Sequence, residues 1–249
     1  HRREGLAELD APDDLRRAAR ALKRSILAEL PAVVDRLEGR LTEAGAVVHR
    51  AADAAEARRL VADLAAGARV VKSKSMVSEE IGLDVALHDA GCHVVETDLG
   101  EWIIQLAGEP PSHIIAPAIH KTKAQVAALF SQALGQPIPA DASIPELTAI
   151  AREQLRQVFL SADVGISGVN FAIAETGTIS IVTNEGNGRY VTGVPPIHIA
   201  MMGAEKVVGT WEEWATSLKL LTRSATGQRI SSYVSTVTGP RRPDDADGP

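Results

Sequence analysis

The chain has 249 residues, a net charge of −6 at pH 7 and 45% apolar residues, a composition that supports a hydrophobic core and excludes a disordered chain. The acidic balance and the lack of a basic stripe argue against a nucleic-acid binder, and no apolar run is long enough to cross a membrane. Because Cys92 is the only cysteine, the sequence excludes an internal disulfide, a four-cysteine iron–sulfur site and a cysteine-rich zinc site.

The hydrophobic pattern predicts a helical segment at residues 13–44, interrupted near Pro31, and then an alternation of strands and helices. Strands are predicted at residues 46–48, 69–71, 93–96 and 113–117. Helices are predicted at residues 54–66, 78–90, 102–106, 121–134 and 144–160. Such an alternation indicates βαβ units and a parallel sheet.

The second half of the chain has a different pattern. Two β-branched runs at residues 169–174 and 178–183 flank Glu175, Thr176 and Gly177, which predicts a β-hairpin with a glycine in its turn. Further strands are expected at residues 196–201 and 205–208, a helix at 211–221, and short strands within 224–237. The predicted fold is therefore α/β, a Rossmann-like and mostly parallel sheet with an added hairpin region and an N-terminal helical segment.

Three parts are expected along the chain. Residues 1–44 form the helical segment, residues 45–238 the α/β domain, and residues 239–249 a linker. The chain lacks an initiator Met, and its end has no closing element. We therefore expect it to be a piece of a longer, cytoplasmic protein.

Common catalytic motifs are absent. No G-x-G-x-x-G follows a strand, and no P-loop, H-E-x-x-H or G-x-S-x-G occurs. The seven histidines have no metal-ligand spacing, so the sequence predicts no metal site.

Four polar clusters remain as candidates, each at a predicted strand end or loop, where open α/β sheets bind ligands. The first contains Lys72, Ser73, Lys74 and Ser75, with Glu79 in the following helix. Two cations, two hydroxyls and a helix start suit a carboxylate or phosphate. The alternative is an exposed turn with a serine that caps the helix.

The second cluster contains Thr97, Asp98 and Glu101, whose carboxylates could serve acid–base chemistry or could simply belong to a turn and a helix cap. The third is Glu175 with Thr176 and Gly177. A desolvated Glu175 would be a base or nucleophile, whereas a water-exposed one would be an ordinary hairpin residue.

The fourth cluster is a loop rich in glycine and amide groups that could hold an anion with its backbone N–H groups or could be an ordinary loop. Its candidate residues are Asn184, Glu185, Gly186, Asn187 and Arg189. His198, which follows this loop, and His120, which follows another predicted strand, complete the candidate set.

Ordered stretches carrying these clusters resemble the lactate-utilization (LUD) domain family, and in particular the amino-terminal domain of its iron–sulfur members. The similarity covers most of the chain from about residue 12. The matching stretches are KSKSMVSEEIG at 72–82, ETDLGEWIIQL at 96–106, HIIAPAIHK at 113–121, ADVGISGVNFAIAETG at 162–177, TNEGNG at 183–188 and residues 223–242.

The resemblance implies a role in the oxidation of L-lactate to pyruvate, as one subunit of an oxidoreductase complex with other lactate-utilization proteins. It also implies a fold similar to sugar-phosphate isomerases and CoA transferases. The [4Fe–4S] clusters for electron transport are expected beyond residue 249, so this chain alone should hold no cofactor and be inactive in redox chemistry.

Applied to this chain, the resemblance favours a domain that binds a small carboxylate or other anion. Lys72, Lys74 and Arg189 would hold the anion, and Glu175 or Asp98 would handle a proton. Two alternatives stay open: a non-catalytic module that docks partner subunits, and a transferase or isomerase for phosphorylated or CoA-linked substrates.

Overall fold

The computed structural model describes residues 2–109, 112, 116–225 and 227–242. Its elements, in chain order, are α1 (Arg2–Ala7), α2 (Pro12–Ala28), α3 (Leu30–Glu43), α4 (Ala54–Ala65), β1 (Arg69–Lys72), α5 (Met76–Glu80), α6 (Leu83–Asp89), β2 (His93–Glu96), α7 (Leu99–Ala107), α8 (Lys123–Leu134), α9 (Ile144–Ser161), β3 (Val164–Gly168), β4 (Phe171–Ile173), β5 (Thr178–Thr183), α10 (Asn187–Gly193), β6 (Ile197–Met201), a 3-10 turn (Ala204–Lys206), β7 (Val207–Val208), α11 (Trp211–Ala225) and β8 (Tyr233–Val237).

These elements form two compact units. Unit 1 comprises the described residues of His1–Arg50, Val169–Gly186 and Met202–Pro249, and unit 2 comprises those of Ala51–Gly168 and Asn187–Met201.

Unit 2 contains a four-stranded sheet in the order β2-β1-β3-β6, with every neighbouring pair parallel. Its two central strands, β1 and β3, are mostly apolar and largely buried, as is usual when helices cover a parallel sheet. One core cluster includes Val71, Phe130 and Leu147, and a second includes Val70, Leu83 and Ile166.

The order of these strands creates a topological switch point. From β1 the chain moves to β2 on one side of β1, and it returns later to β3 on the other side. This reversal makes the carboxyl ends of β1 and β3 a topological switch point, the usual place for ligands in open α/β sheets.

Unit 1 contains a second sheet in the order β7-β4-β5-β8. Strands β4 and β5 form an antiparallel hairpin in which Ile173 pairs with Thr178. Gly177, in its turn, has a φ of 66°, a conformation that glycine adopts without strain. Ile26 and Val33, from α2 and α3, share a core cluster with Ile173 of this sheet.

The predicted α/β fold with a parallel sheet and an added hairpin is confirmed. The strand expected at residues 46–48 is wrong, because this segment is irregular and Val47 is 82% exposed. The helix expected at residues 78–90 is two helices, separated at Gly82 by a φ of 67°. Of the strand expected at 113–117, residues 113–115 lie outside the described residues, and Pro117 lies in a turn.

The three parts expected from the sequence remain a prediction. They are continuous stretches of the chain, whereas the two compact units each combine segments that are distant in sequence. Within the described ranges, no helix has both the length and the apolar character needed to cross a membrane.

Candidate functional site

Lys72 and Glu96 occupy matching positions at the carboxyl ends of β1 and β2, where they are register partners. The side chain of Lys72 is 1% exposed, and residue Glu96 is 7% exposed. The Nζ of Lys72 lies 2.5 Å from Oε1 of Glu96. A buried cation and anion each lose hydration, so each depends on the other for compensation.

Burial also changes the protonation of this pair. Desolvation raises the pKa of Glu96 to about 7, because it outweighs the attraction of Lys72. Desolvation alone would lower the pKa of Lys72, but the negative charges of Glu96 and Asp84 raise it above its ordinary value. Near neutral pH, Lys72 is therefore charged while Glu96 can gain or lose a proton.

The start of α5 places one hydroxyl, that of Ser78, near the ammonium group of Lys72. Ser75 caps α5 by accepting a hydrogen bond from the backbone N–H of Ser78, and the hydroxyl of Ser78 donates to the carbonyl of Ser75. The hydroxyl of Ser78 lies 3.4 Å from Nζ of Lys72. The backbone N–H of Ser73 donates to the carbonyl of Ile166, which holds the loop against β3.

Thr97 and Asn187 extend the cluster. The hydroxyl of Thr97 donates to the carbonyl of Lys72 at 2.9 Å, and Nδ2 of Asn187 donates to that hydroxyl at 3.2 Å. In the described part of the chain, Glu96 Oε2 and Asn187 Oδ1 are buried acceptors without a hydrogen-bond partner. Lys72, Ser78, Glu96, Thr97 and Asn187 are called the Lys72 cluster below.

A second polar pair joins β3 to β6. The hydroxyl of Ser167, which is fully buried, lies 2.8 Å from Nε2 of His198. Burial lowers the pKa of His198 to about 4, so its imidazole is neutral at pH 7. A neutral imidazole can accept a hydrogen bond from the serine hydroxyl or donate one to it, depending on its tautomer.

Comparison with known proteins assigns the family. Residues 34–248 match the LUD domain. The chain belongs to the LUD domain family. It is 47% identical over 246 residues to lactate utilization protein B of Shouchella clausii and 45% identical over 253 residues to that of Bacillus licheniformis. These matches cover 97% and 100% of this chain.

The chain spans about half the length of these curated relatives, 51% and 52%. Among solved structures, a DUF162 family protein from Deinococcus radiodurans aligns with a TM-score of 0.45 at 18% identity, covering 84% of this chain and 88% of that one.

In this LUD domain, several predicted site residues lie together. Lys72, Ser73, Ser75, Thr97 and Asn187 all belong to unit 2, where the loop after β1 and the start of α10 meet the ends of the strands. These residues therefore share one end of the parallel sheet. What they bind remains a prediction.

The acidic candidates of unit 2 have structural contacts of their own. Asp98 caps α7 by accepting hydrogen bonds from the N–H groups of Gly100 and Glu101. Glu101 is buried. Its pKa is raised mainly by this burial and also by the negative charge of Glu79. Glu79 itself is exposed, and Lys74 is half-buried.

Two further candidates of unit 2 lie on its surface. Arg189 is exposed on α10. His120 is exposed, and its ring nitrogens hydrogen-bond Ser112 Oγ at 2.7 Å and Glu109 Oε2 at 2.9 Å.

The other candidates lie in unit 1. Glu175 is exposed in the hairpin turn, and its carboxylate accepts a hydrogen bond from the N–H of Trp211 at the start of α11. Thr176 and Gly177 complete the turn, and the hydroxyl of Thr176 pairs with that of Thr178. Asn184, Glu185 and Gly186 follow β5. A common site for all four clusters remains a prediction.

The sequence reasoning missed three residues of unit 2: Glu96, Ser78 and Ser167. A usable signal for Glu96 was present. The strands RVVK and HVVE are similar apolar runs that end in opposite charges. Neighbouring parallel strands place such terminal residues side by side, so the ion pair could have been proposed from that pattern.

Iron–sulfur ligation does not fit the residues present. The only cysteine, Cys92, is buried and donates its thiol hydrogen to the carbonyl of Ala65 at 3.0 Å. Within the ranges that the structure describes, no group of three or more His, Cys, Asp and Glu side chains could hold a metal ion.

Proposed function

We propose that this LUD domain serves lactate utilization as one part of a complex that oxidises L-lactate to pyruvate, and that its unit 2 binds a small carboxylate. The name of the relatives, lactate utilization protein B, supports the first part. The second part depends on one observation. Lys72 places a buried ammonium group at the topological switch point of a parallel sheet.

The charge balance of the Lys72 cluster suits a monoanion. With Glu96 ionised, Lys72 is already neutralised. A ligand carboxylate can replace Glu96 as the partner of Lys72 if Glu96 takes up a proton. Because the pKa of Glu96 is about 7, this protonation costs little free energy near neutral pH. The site then still contains one cation and one anion.

The same balance disfavours a phosphorylated ligand. A phosphate ester carries up to two negative charges near neutral pH. Within the cluster, Lys72 is the single cation, and Glu96 and the nearby Asp84 add negative charge. The transferase or isomerase alternative is therefore less well supported than carboxylate binding.

Asp84 is the side chain beside which we expect a ligand to reach the cluster. Its side chain is 54% exposed and lies 3.5 Å from Nζ of Lys72. The ammonium group is thus one side chain away from the surface, and movement of Asp84 would open it to a small ligand.

Redox chemistry is proposed to lie outside this chain, in iron–sulfur centres that other segments or subunits would hold. The residues of unit 2 would bind and orient the carboxylate. No electron-transfer step is assigned to them.

Calorimetric titration of the 249-residue chain with L-lactate and with pyruvate tests this proposal. We expect binding of at least one, weakened about 10-fold or more in Lys72→Met, because a hydrogen bond to a charged group is lost. Lys123→Met, a change at an exposed lysine of α8, is the matched control and should bind like the wild type. A folded wild-type chain that binds neither ligand would reject the proposal and favour the docking module.

A further inference from the structure

We propose that Ser112, His120 and Glu109 form a second site in unit 2, a triad in which Ser112 attacks esters of short-chain carboxylic acids. His120 is a candidate from the sequence that the proposed function does not use, and the structure places a hydroxyl and a carboxylate on its two ring nitrogens. None of the three residues belongs to the Lys72 cluster, so this inference does not rest on the proposed function.

The imidazole of His120 connects the hydroxyl of Ser112 to the carboxylate of Glu109. Nδ1 of the ring lies 2.7 Å from Oγ of Ser112, and Nε2 lies 2.9 Å from Oε2 of Glu109. Both distances are in hydrogen-bond range. Nucleophile, base and orienting acid follow one another in the same order in a catalytic triad, which is recognised by geometry and not by position in the sequence.

Glu109 determines which nitrogen of the ring holds the hydrogen. Hydrogen bonds from Lys121 and from His120 lower the pKa of Glu109, so its carboxylate is ionised at neutral pH. An ionised carboxylate only accepts hydrogen bonds, so Nε2 of His120 must be the donor. In the neutral imidazole, Nδ1 is then an acceptor that faces the hydroxyl of Ser112, as a general base requires.

The hydroxyl of Ser112 has two acceptors within reach. Besides Nδ1 of His120, its Oγ lies 2.9 Å from the carbonyl oxygen of Pro117. That carbonyl already accepts a hydrogen bond from the backbone N–H of Ser112. The hydroxyl hydrogen can therefore turn from Pro117 to Nδ1 while the backbone contact keeps the residue in place.

The ends of two helices hold the triad in position. Glu109 follows α7, and its backbone N–H donates to the carbonyl of Ile104 in that helix. His120 lies in the turn that leads into α8, together with Pro117. Pro117 packs on the start of α7, because a Cβ atom at Gly100 would lie 2.9 Å from its ring. Such fixed placement of the reacting groups lowers the entropic part of a reaction barrier.

The triad is open to a substrate. The side chains of His120 and Glu109 are 36% and 42% exposed, and Ser112 is exposed. Glu109 also lines a cavity of about 230 Å³. Its apolar wall is formed by Ala107, Ala128 and Leu129. A space of this size and character suits a short acyl chain, since pockets for larger ligands are usually about 300–1,000 Å³.

The reaction has two balanced steps. In the first, Oγ of Ser112 attacks the carbonyl carbon of the ester and passes its proton to Nδ1 of His120. The bond from that carbon to the alcohol oxygen breaks, and the alcohol leaves with the proton. In the second, water attacks the acyl group and gives a proton to Nδ1, the bond between the acyl group and Oγ breaks, and the proton returns to Oγ.

Two reagents test the proposal on the 249-residue chain. Diisopropyl fluorophosphate bonds to an activated serine oxygen and releases fluoride, and mass spectrometry locates the adduct. p-Nitrophenyl acetate reports acyl transfer through the nitrophenolate released. We expect one adduct, on Ser112, and hydrolysis that is lost in Ser112→Ala and slowed about 100-fold or more in His120→Gln. Ser161→Ala, at an exposed serine of α9, is the matched control and should behave like the wild type.

Glu109 is a positioning residue, because it acts through His120. Glu109→Gln should slow hydrolysis about 10-fold or more, and Glu109→Asp should restore part of the rate. Nitrogen NMR gives a readout that a merely structural role would not change. His120 of the wild type should hold its hydrogen on Nε2 at pH 8, and Glu109→Gln should lose that preference. An unchanged rate and tautomer in Glu109→Gln would contradict the triad.

The outcomes decide the role of Ser112 directly. A folded wild type without an adduct, or with its adduct on another residue, would overturn the proposal. Hydrolysis that persists in Ser112→Ala but is lost in His120→Gln would show that the imidazole itself attacks the ester, and would also overturn it. Circular dichroism verifies the folding of each variant. Carboxylate binding at Lys72 is measured separately and should be unchanged in Ser112→Ala, so the two proposals can fail independently.

Discussion

Lys72 and Glu96 form a buried ion pair, Nζ to Oε1 at 2.5 Å, at the carboxyl ends of two neighbouring parallel strands. Such a pair contributes little net stability, because its attraction is offset by the hydration that both groups lose. Lys72 ends β1, the strand that borders the switch point between β1 and β3, and we propose a functional reason for keeping the pair. In the proposed site, Glu96 takes up a proton when a ligand carboxylate binds to Lys72, and this exchange would provide that reason.

The stability of the protein should depend on pH through Glu96. Its pKa of about 7 in the folded state lies above the ordinary 4.5, so the folded state keeps a proton that the unfolded state releases. This contribution is fully present below pH 4.5 and is lost as the pH rises through 7. Between pH 4.5 and 8, urea unfolding should show the wild type losing about 3 kcal/mol relative to Glu96→Gln.

Glu153→Gln, at an exposed glutamate of α9, is the control and should keep the pH dependence of the wild type. If the difference between wild type and Glu96→Gln stays constant with pH, Glu96 does not have the raised pKa.

Removing the two members of the buried pair should have unequal effects. Glu96→Leu removes the buried partner of the Lys72 ammonium and leaves it with the more exposed Asp84 and Glu79, so it should cost about 3–5 kcal/mol at pH 7. Lys72→Met should cost less, because Glu96 can protonate. The double variant should be more stable than Glu96→Leu, since no buried charge remains, and equal losses in the two single variants would contradict this account.

His198 should titrate far below an ordinary histidine. Its pKa of about 4 means that its neutral form stabilises the fold above the ordinary value of 6.5, and that this contribution is lost as the pH falls through 4. Proton NMR of the imidazole resonances would give the midpoint. Because burial is the cause, Ser167→Ala should leave the midpoint well below 6.5, and a midpoint near 6.5 in the wild type would disprove the assignment.

Close packing of α10 on β3 makes two glycines behave differently. In Gly165→Ala, the new Cβ would lie 2.0 Å from the backbone carbonyl of Val191, so we expect a loss of about 1–3 kcal/mol or more. In Gly193→Ala, at the last residue of α10, the added methyl meets no atom within 4 Å, so we expect stability to change by no more than about 0.5 kcal/mol. Thermal unfolding of both variants measures the contrast, and similar melting temperatures would contradict the close contact.

Much of the fold could be predicted from the sequence because its signals are local. Apolar runs such as RVVK and HVVE, separated by amphipathic helices, indicate a parallel sheet, and this pattern can be recognised without knowledge of contacts between distant residues. The turn at Gly177 follows from the need for a positive φ between two β-branched runs. The error at residues 46–48 has a physical origin, because a run of valines predicts a strand only if a neighbouring surface buries it, and Val47 is exposed.

The site was only partly predictable, because its contacts join distant parts of the chain. The loop at Lys72 and the amide of Asn187 could be singled out by residue type. The hydrogen bond between Asn187 and Thr97 depends on how α10 packs on β3. No local sequence pattern predicts this packing. The caps formed by Ser75 and Asp98 were foreseen as alternatives, and the sequence could not tell caps from ligand-binding groups.

The most direct test is a crystal structure of the 249-residue chain grown with L-lactate. The account predicts a ligand carboxylate within hydrogen-bond distance of Lys72 Nζ, in place of the Glu96 carboxylate. Lactate bound at another place, with the Lys72–Glu96 pair unchanged, would contradict it.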